Sequence, residues 1–122
     1  MAIQRIAVLG AGQMGNGITQ VAAAAGYDVI MIDIEQEYVD KGLATIQRSL
    51  GKLVSKERMS QEDADATLAR ISLATDRNVC ADCDLVVEAV PEILDLKTSI
   101  FAELDGLCKP ETILASNTSS IS

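Results

Sequence analysis

The chain has 122 residues, of which 10 are lysine or arginine, 18 are aspartate or glutamate and none is histidine, so its formal net charge is −8. This length suits one domain with a real core, and a hydrophobic fraction of 48% excludes a disordered chain. The acidic balance argues against nucleic-acid and anionic-membrane partners, because both require a basic surface. Without histidine, the chain lacks the commonest general acid and base, and it cannot form a Ser-His-Asp catalytic triad.

The apolar pattern alternates between short buried strands and amphipathic helices along the whole chain. The apolar runs predict five strands, at residues 3–9, 28–32, 71–74, 85–90 and 112–115. The helical periodicity predicts four helices, at residues 13–25, 35–58, 60–69 and 92–107. We therefore expect an α/β fold with a doubly wound parallel sheet and a helical hairpin inserted after the second strand. The hairpin is longer than a crossover needs, which makes it a candidate for a binding role.

A glycine motif follows the first strand and opens the first helix. It consists of Gly10, Ala11, Gly12, Gln13, Met14 and Gly15, which form the predicted cofactor loop. Gly10 allows a tight turn, Gly12 lets the backbone approach a pyrophosphate, and Gly15 lets helix and strand pack closely. Asp33 follows at about the spacing at which a carboxylate binds the adenosine ribose and repels a 2′-phosphate. The pattern predicts a Rossmann-type site that prefers NAD to NADP, with Gly17 as a further close helix contact.

Cysteine usage and the chain termini indicate the compartment. No apolar run approaches the ~20 residues of a membrane span, and the N-terminal residues enter a strand without a signal-peptide cleavage site. The three cysteines, Cys80, Cys83 and Cys108, are too few for a disulfide framework, so we expect a reducing, cytoplasmic location. The C-x-x-C spacing of Cys80 and Cys83 has no second pair and no histidine beside it, which disfavours a metal or redox site.

Three stretches of the sequence resemble the L-3-hydroxyacyl-CoA dehydrogenase family, particularly its bacterial 3-hydroxybutyryl-CoA branch. They are GAGQMGNGITQ at residues 10–20, VVEAVPE at residues 86–92 with Lys97 and Phe101 downstream, and KPETILASNTSS at residues 109–120. The resemblance covers the whole chain. It implies reversible hydride transfer between NAD(H) and the 3-hydroxyl carbon of an acyl-CoA, a reaction of fatty acid metabolism.

The resemblance implies further cofactor contacts after the fourth strand. Ala89 and Val90 lie against the dinucleotide, and Glu92 and Lys97 contact the ribose on the nicotinamide side. Without the resemblance, a pair on a solvated helix face is the favoured explanation of Glu92 and Lys97, and only the resemblance reverses that preference.

The polar stretch after the fifth strand is assigned to the substrate side in the same way. Ser119 matches the family serine that hydrogen-bonds the substrate's 3-oxygen, and Asn117 lies beside the nicotinamide. The alternative is a loop whose hydroxyl and amide groups satisfy its own backbone. Its place at the carboxyl edge of a parallel sheet, where ligands bind in such folds, favours the functional interpretation.

The resemblance gives the helical hairpin a CoA-binding role. Ser49 and Lys56 match the family's CoA contacts, and Lys52 lies one turn from Lys56, so both lysines can meet the phosphate-rich end of CoA. The alternative is a pair of solvated lysines on an exposed helix.

The resemblance also implies parts that these 122 residues do not contain. The family uses a histidine general base, oriented by a glutamate, beyond the position of Ser119. We therefore expect residues 1–122 to be an NAD-binding domain that is incomplete at its C-terminus and inactive by itself. The helical C-terminal domain for substrate binding and homodimerisation is absent from this chain.

Two alternatives remain at this stage. One is a stand-alone dinucleotide-binding or sensing module, although a sensor has no need of a hydroxyl at Ser119. The other is a different 3-hydroxyacid dehydrogenase, such as the 3-hydroxyisobutyrate type, which shares the glycine motif but lacks the hairpin and the ILASNTSS stretch.

Overall fold

The fold is built on one sheet of five parallel strands. The computed structural model describes residues 3–89, 103, 106–109 and 112–116. Among these, the strands are β1 (Arg5–Leu9), β2 (Asp28–Ile32), β3 (Ile71–Ala74), β4 (Leu85–Glu88) and β5 (Ile113–Ser116). Their order in the sheet is β3-β2-β1-β4-β5. The chain therefore runs outward from β1 through β2 to β3, and in the other direction from β4 to β5, which places a topological switch point between β1 and β4.

Helices follow the first two strands as the apolar periodicity predicts. In the described part of the chain they are α1 (Gln13–Ala24), α2 (Gln36–Ser55) and α3 (Gln61–Ala69), joined later by a short 3-10 helix at Arg77–Asp82. Helices α2 and α3 form a hairpin between β2 and β3. The expected doubly wound α/β fold with a hairpin after the second strand is thus confirmed.

Two helix ends are fixed by local capping residues. Gly26 follows α1 with φ of +105°, and the Tyr27 N–H donates to the Ala22 carbonyl at 3.2 Å, which is the pattern of a Schellman cap. At the start of α3, the Ser60 side chain accepts a hydrogen bond from the Asp63 N–H at 3.0 Å. Local capping chemistry therefore sets both boundaries.

Other predicted boundaries differ from the structure by a few residues. Helix α2 ends at Ser55 rather than residue 58, because Glu57 adopts a left-handed φ of 57° that a helix cannot continue through. Strand β1 begins two residues later than predicted, β4 ends at Glu88, and β5 is displaced by one residue. The 3-10 helix was not predicted, and the helix predicted at 92–107 lies largely outside the described residues.

The core has a layer on each face of the sheet because side chains alternate along every strand. In β1, Ile6 and Val8 pack with Ala23 of α1, whereas Ala7 and Leu9 point to the opposite face and pack with Cys80. In the part of the chain that is described, no helix combines the length and the apolar character needed to cross a bilayer.

Candidate functional site

A tight turn joins β1 to α1 and depends on two glycines. Gly10 has φ of 115°, a conformation that side chains disfavour, and its N–H donates to the Ile32 carbonyl at 2.7 Å. A Cβ atom at Gly15 would overlap the carbonyl group of Gly10. The roles predicted for Gly10 in turning the chain and for Gly15 in close packing are therefore those that the geometry requires.

The N-terminus of α1 is unobstructed by the described residues. Its N-cap residue, Gly12, provides no side-chain hydrogen bond, and a Cβ atom there would meet no atom of the described residues within 4 Å. The Asn16 side chain donates to the Gly12 carbonyl at 2.7 Å and braces the turn from within the helix. An uncapped helix N-terminus with unobstructed backbone suits a phosphate group, since both the backbone N–H groups and the helix dipole favour negative charge there.

The carboxylate of Asp33 is held against this turn. Its Oδ2 atom accepts a hydrogen bond from the Ala11 N–H at 2.9 Å, and its Oδ1 atom accepts one from the Ile34 N–H at 2.8 Å. The Asp33 N–H donates to the Ala74 carbonyl at 3.3 Å, which ties the end of β2 to β3. The structure therefore brings the predicted ribose-binding carboxylate and the predicted phosphate loop together.

A cavity of about 490 Å³ opens beside Asp33. Its lining includes Gly10 and Asp33 together with Asp76, Arg77 and Glu103. Arg77 Nη1 lies 2.9 Å from Glu103 Oε2, so the two side chains form an ion pair at the cavity. The volume is within the range of sites that enclose small molecules.

The end of β4 lies next to the glycine turn. The Ala89 N–H donates to the Leu9 carbonyl at 2.8 Å, immediately before Gly10. Glu88 is fully buried and pairs in register with Leu9 on one side and Ser116 on the other. The carboxyl ends of β1, β2 and β4 thus meet at one edge of the sheet, where ligands bind in open α/β folds.

Residues 5–122 match the family described as 3-hydroxyacyl-CoA dehydrogenase, NAD binding domain. The chain belongs to this family. It is 50% identical over 117 residues to a probable 3-hydroxybutyryl-CoA dehydrogenase of Deinococcus radiodurans, with 96% of this chain and 42% of that protein covered. It is 47% identical over 120 residues to the 3-hydroxybutyryl-CoA dehydrogenase of Bradyrhizobium diazoefficiens, covering 98% of this chain and 41% of that protein.

The crystal structure of (S)-3-hydroxybutyryl-CoA dehydrogenase from Ralstonia eutropha superposes on this fold with a TM-score of 0.96 at 43% identity. The match covers 99% of this chain and 43% of that one. The chain therefore spans well under half the length of the family relatives it matches. NAD is the cofactor of this family of domains, and the open helix N-terminus, the Asp33 carboxylate and the adjoining cavity fit a dinucleotide.

Several residues that the family resemblance singles out lie outside the described residues. They are Val90, Glu92, Lys97, Asn117 and Ser119. Their proposed contacts with nicotinamide, ribose and substrate remain predictions. The described residues immediately before them are Ala89, which directly follows β4, and Ser116, the last residue of β5, and these two neighbouring parallel strands end at the same edge of the sheet.

The residues with a predicted CoA role lie at the far end of α2. Lys52 is exposed in the last turn, exposed Lys56 is the C-cap, and Ser49 is half-buried. Arg48 precedes Lys52 by one turn, and its side chain bonds to the Thr45 hydroxyl at 3.2 Å. Arg48, Lys52 and Lys56 therefore form a basic row, of which Arg48 was not anticipated. Cations near a helix C-terminus also interact favourably with the helix dipole, which is the structural explanation for the same row.

One close glycine contact lies at a different residue from the one that the sequence predicts. The prediction for Gly17 is wrong for the part of the chain that the structure describes, because a Cβ atom there would meet none of its atoms within 4 Å. The close contact occurs instead at Gly42 of α2, where a Cβ atom would lie 2.8 Å from the Ala11 carbonyl oxygen and 2.9 Å from Met31 Cε. A signal for this contact was present, since a glycine inside a long helix costs about 1 kcal/mol relative to alanine and calls for a packing reason.

The C-x-x-C pair belongs to the core. Cys80 and Cys83 are both fully buried, and burial raises the pKa of Cys80 to about 12 and that of Cys83 to about 11. Their thiols therefore stay protonated at neutral pH, in contrast to the thiolates on which metal binding and thiol exchange depend. In the described part of the chain, no three histidine, cysteine or acidic residues are grouped to hold a metal ion.

Proposed function

We propose that this chain is the cofactor-binding part of an enzyme that transfers a hydride between NAD(H) and a 3-hydroxyacyl-CoA/3-oxoacyl-CoA pair. The candidate pair is 3-hydroxybutyryl-CoA and acetoacetyl-CoA, which the names of its relatives suggest. The observation that carries the proposal is the Asp33 carboxylate fixed 2.9 Å from the Ala11 N–H, within a domain of this family. A reaction of this kind belongs to fatty acid metabolism.

The described residues account for how NAD would be held. The pyrophosphate would lie over Gly12, where the helix N-terminus offers N–H groups and partial positive charge. The adenosine ribose would bind Asp33, and the adenine would enter the adjoining cavity. When bound, NAD supplies the carbon that accepts or releases the hydride. Hydrogen bonds from Ala11 and Ile34 fix the Asp33 carboxylate before the ribose arrives, which lowers the cost of ordering the site.

The reacting groups would gather at the carboxyl ends of β4 and β5. Ala89 and Val90 would line the dinucleotide, and Glu92 and Lys97 would bind its nicotinamide-side ribose. The position of Ala89 supports these roles, because its N–H donates a hydrogen bond to the Leu9 carbonyl of β1, directly before the glycine turn.

The chain's own substrate-side groups would position the substrate rather than take its proton. Ser119 would donate its hydroxyl hydrogen bond to the substrate's 3-oxygen, with Asn117 beside the nicotinamide. No histidine occurs among the 122 residues, so the general base that the family uses has no counterpart in them. A missing general base alone lowers rates by about 10²–10⁴. We therefore propose that the 122 residues bind the cofactor without efficient turnover.

The basic row on α2 would receive the phosphates of CoA. With a rise of 1.5 Å per residue, Lys52 and Lys56 lie roughly 15–21 Å along the helix from Gly42, which contacts the glycine loop. That separation lets a long acyl-CoA place its phosphates on α2 while its acyl end reaches the nicotinamide. Ser49 would add a hydroxyl contact on the same helix. The exposed lysines offer positive charge in a chain whose net charge is −8.

Two further properties belong to this proposal. A cytoplasmic location is supported by the cysteine count, since three cysteines are too few for a disulfide framework. Homodimerisation would use polypeptide beyond these residues, as the family resemblance implies.

The proposal is tested by titrating the chain with NADH and assaying acetoacetyl-CoA reduction on the same sample. We expect saturable NADH binding at one site without measurable turnover. A chain that folds, as judged by circular dichroism, but does not bind NADH would refute the cofactor assignment. Efficient turnover would refute the claim that the 122 residues lack the proton acceptor.

A further inference from the structure

The cavity beside Asp33 contains an ion pair that takes no part in the proposed cofactor contacts. Arg77 Nη1 lies 2.9 Å from Glu103 Oε2, and the two side chains are 30% and 50% exposed. Both line the same cavity as Asp33. The pair therefore borders the space that the proposed cofactor site gives to adenosine.

An arginine at this place has a specific chemical consequence. Dinucleotide sites that accept NADP use an arginine near the ribose to bind the 2′-phosphate, because a guanidinium offers several N–H donors to a phosphate dianion. Arg77 is a cation in the correct region of the fold. By that criterion alone, the cavity would admit NADP as well as NAD.

The carboxylates around Arg77 oppose such a role. Asp33 and Glu103 both line the cavity with Arg77, and Asp76 does so as well. The Asp76 carboxylate accepts a hydrogen bond from the Asn78 N–H at 2.8 Å, which leaves Glu103 as the carboxylate paired with the guanidinium. Three negative charges against one positive charge make the cavity unfavourable for an added phosphate dianion.

We propose that Glu103 is a specificity-determining residue that occupies Arg77 and thereby keeps the adenosine cavity selective for NAD over NADP. This inference rests on the proposed cofactor site. Asp33 excludes the 2′-phosphate by direct repulsion, whereas Glu103 excludes it by holding the arginine that would otherwise bind it. The two carboxylates therefore act on the same phosphate through different contacts.

The decisive experiment compares dissociation constants for NADH and NADPH, measured by fluorescence titration, in Asp33→Ala and in the double variant Asp33→Ala/Glu103→Gln. We expect the double variant to bind NADPH about tenfold more tightly than Asp33→Ala does, with NADH affinity changed little, because the released guanidinium gains a charged partner. Adding Arg77→Ala to the double variant should remove this gain. An equal NADPH affinity in Asp33→Ala and the double variant would overturn the proposal.

A matched control separates the ion pair from net charge. Glu37→Gln also removes one negative charge from an ion pair, that of Glu37 with Lys41 at 3.2 Å, but this pair is exposed on α2 and does not line the cavity. Combined with Asp33→Ala, it should leave NADPH affinity unchanged. A gain equal to that of Glu103→Gln would refute a specific role for Glu103.

Failure of the cofactor site and failure of this inference give different results. If the unaltered chain does not bind NADH, the proposed cofactor site and the inference built on it are both wrong. If it binds NADH and Glu103→Gln does not change the NADPH affinity of Asp33→Ala, only the inference is wrong. Glu103→Ala serves as a second variant, since it releases Arg77 without introducing an amide.

Discussion

Asp33 and Ala11 are joined by a hydrogen bond of 2.9 Å from the backbone N–H of the glycine loop to the carboxylate Oδ2 atom. The carboxylate at the end of β2 therefore fixes the shape of the turn after β1, and in the proposed site it also binds a ribose. On that proposal, loss of this side chain would remove a contact within the protein and a contact to the cofactor at once. Substitutions can separate the two contributions.

We predict that Asp33→Ala weakens NADH binding by about 10–100-fold, since a charged hydrogen-bond partner contributes about 1.5–3 kcal/mol. Asp33→Asn keeps an oxygen for the Ala11 N–H but removes the negative charge. It should therefore restore part of the NADH affinity and reduce discrimination against NADPH. Fluorescence titration with both cofactors measures these changes. Asp40→Asn, on the exposed side of α2, is the control and should bind like the unaltered chain. Unchanged affinities in Asp33→Ala would contradict the ribose role.

Two glycines of α2 provide a matched pair for the close contact with the loop. A Cβ atom at Gly42 meets the Ala11 carbonyl oxygen, which no rotamer change can move, so Gly42→Ala should introduce strain of about 1–3 kcal/mol. Gly51 is exposed in the same helix with open space around it, so Gly51→Ala should stabilise the chain by up to about 1 kcal/mol. Denaturant unfolding measures both changes. Equal effects would show that the contact at Ala11 is unimportant.

A second matched pair of glycines lies in α1. Gly15→Ala places a methyl group on the backbone of Gly10 and should displace the turn, with loss of NADH binding and of stability. Gly17→Ala meets open space two residues later and should retain NADH binding. Thermal unfolding and NADH titration on the two variants test this contrast. Loss of binding in Gly17→Ala alone would contradict the assignment of the turn contact to Gly15.

The acid stability of the chain should depend on Asp84. The hydrogen bond from Lys109 and those from the N–H groups of Gln4 and Arg5 lower its pKa to about 2. Because the pKa is lower in the folded state, Asp84 contributes stability above its ordinary pKa near 4, and this contribution disappears as the pH falls from about 4 to 2.

Asp84→Asn should therefore lower stability at neutral pH and flatten its decline between pH 4 and 2. Urea unfolding across that range measures the change. Asp65→Asn is the control, since the Asp65 carboxylate lies at an exposed position of α3 and accepts its hydrogen bond from the neutral Gln61 amide. A parallel pH profile for Asp84→Asn and the unaltered chain would contradict the prediction.

Local signals predicted most of the fold and the cofactor loop. The apolar runs predicted the strands. Gly10, Gly15 and Asp33 could be recognised because their roles depend only on nearby residues and on their positions at the ends of strands. Gly26 and Ser60 likewise act on backbone groups within a few residues, so their capping is local chemistry.

Features that depend on distant packing could not be predicted in this way. Gly42 contacts a loop that lies far from it in sequence, and Arg77 pairs with Glu103, which follows it by 26 residues. The early end of α2 arises from the backbone conformation of Glu57, a residue with no sequence signal for a left-handed turn. Helix periodicity describes which faces are apolar but does not specify where one helix approaches another chain segment.

The basic row on α2 makes the proposed CoA site testable on this chain. Lys52→Ala/Lys56→Ala should weaken binding of free CoA by about tenfold, because two exposed lysines that meet phosphates contribute on the order of 1 kcal/mol or less each. Calorimetric titration measures the change, and the affinity of the unaltered chain should fall as salt is added, since exposed charges are screened.

Lys41→Ala is the matched control, as it removes a lysine from the same helix at an exposed position near its other end. It should leave CoA affinity unchanged. If the lysines at positions 52 and 56 serve only to interact with the helix dipole, the double variant will lose helix stability while binding CoA as before. A loss of CoA affinity without a loss of NADH affinity would separate the two sites, because α2 carries the lysines at the end opposite Asp33.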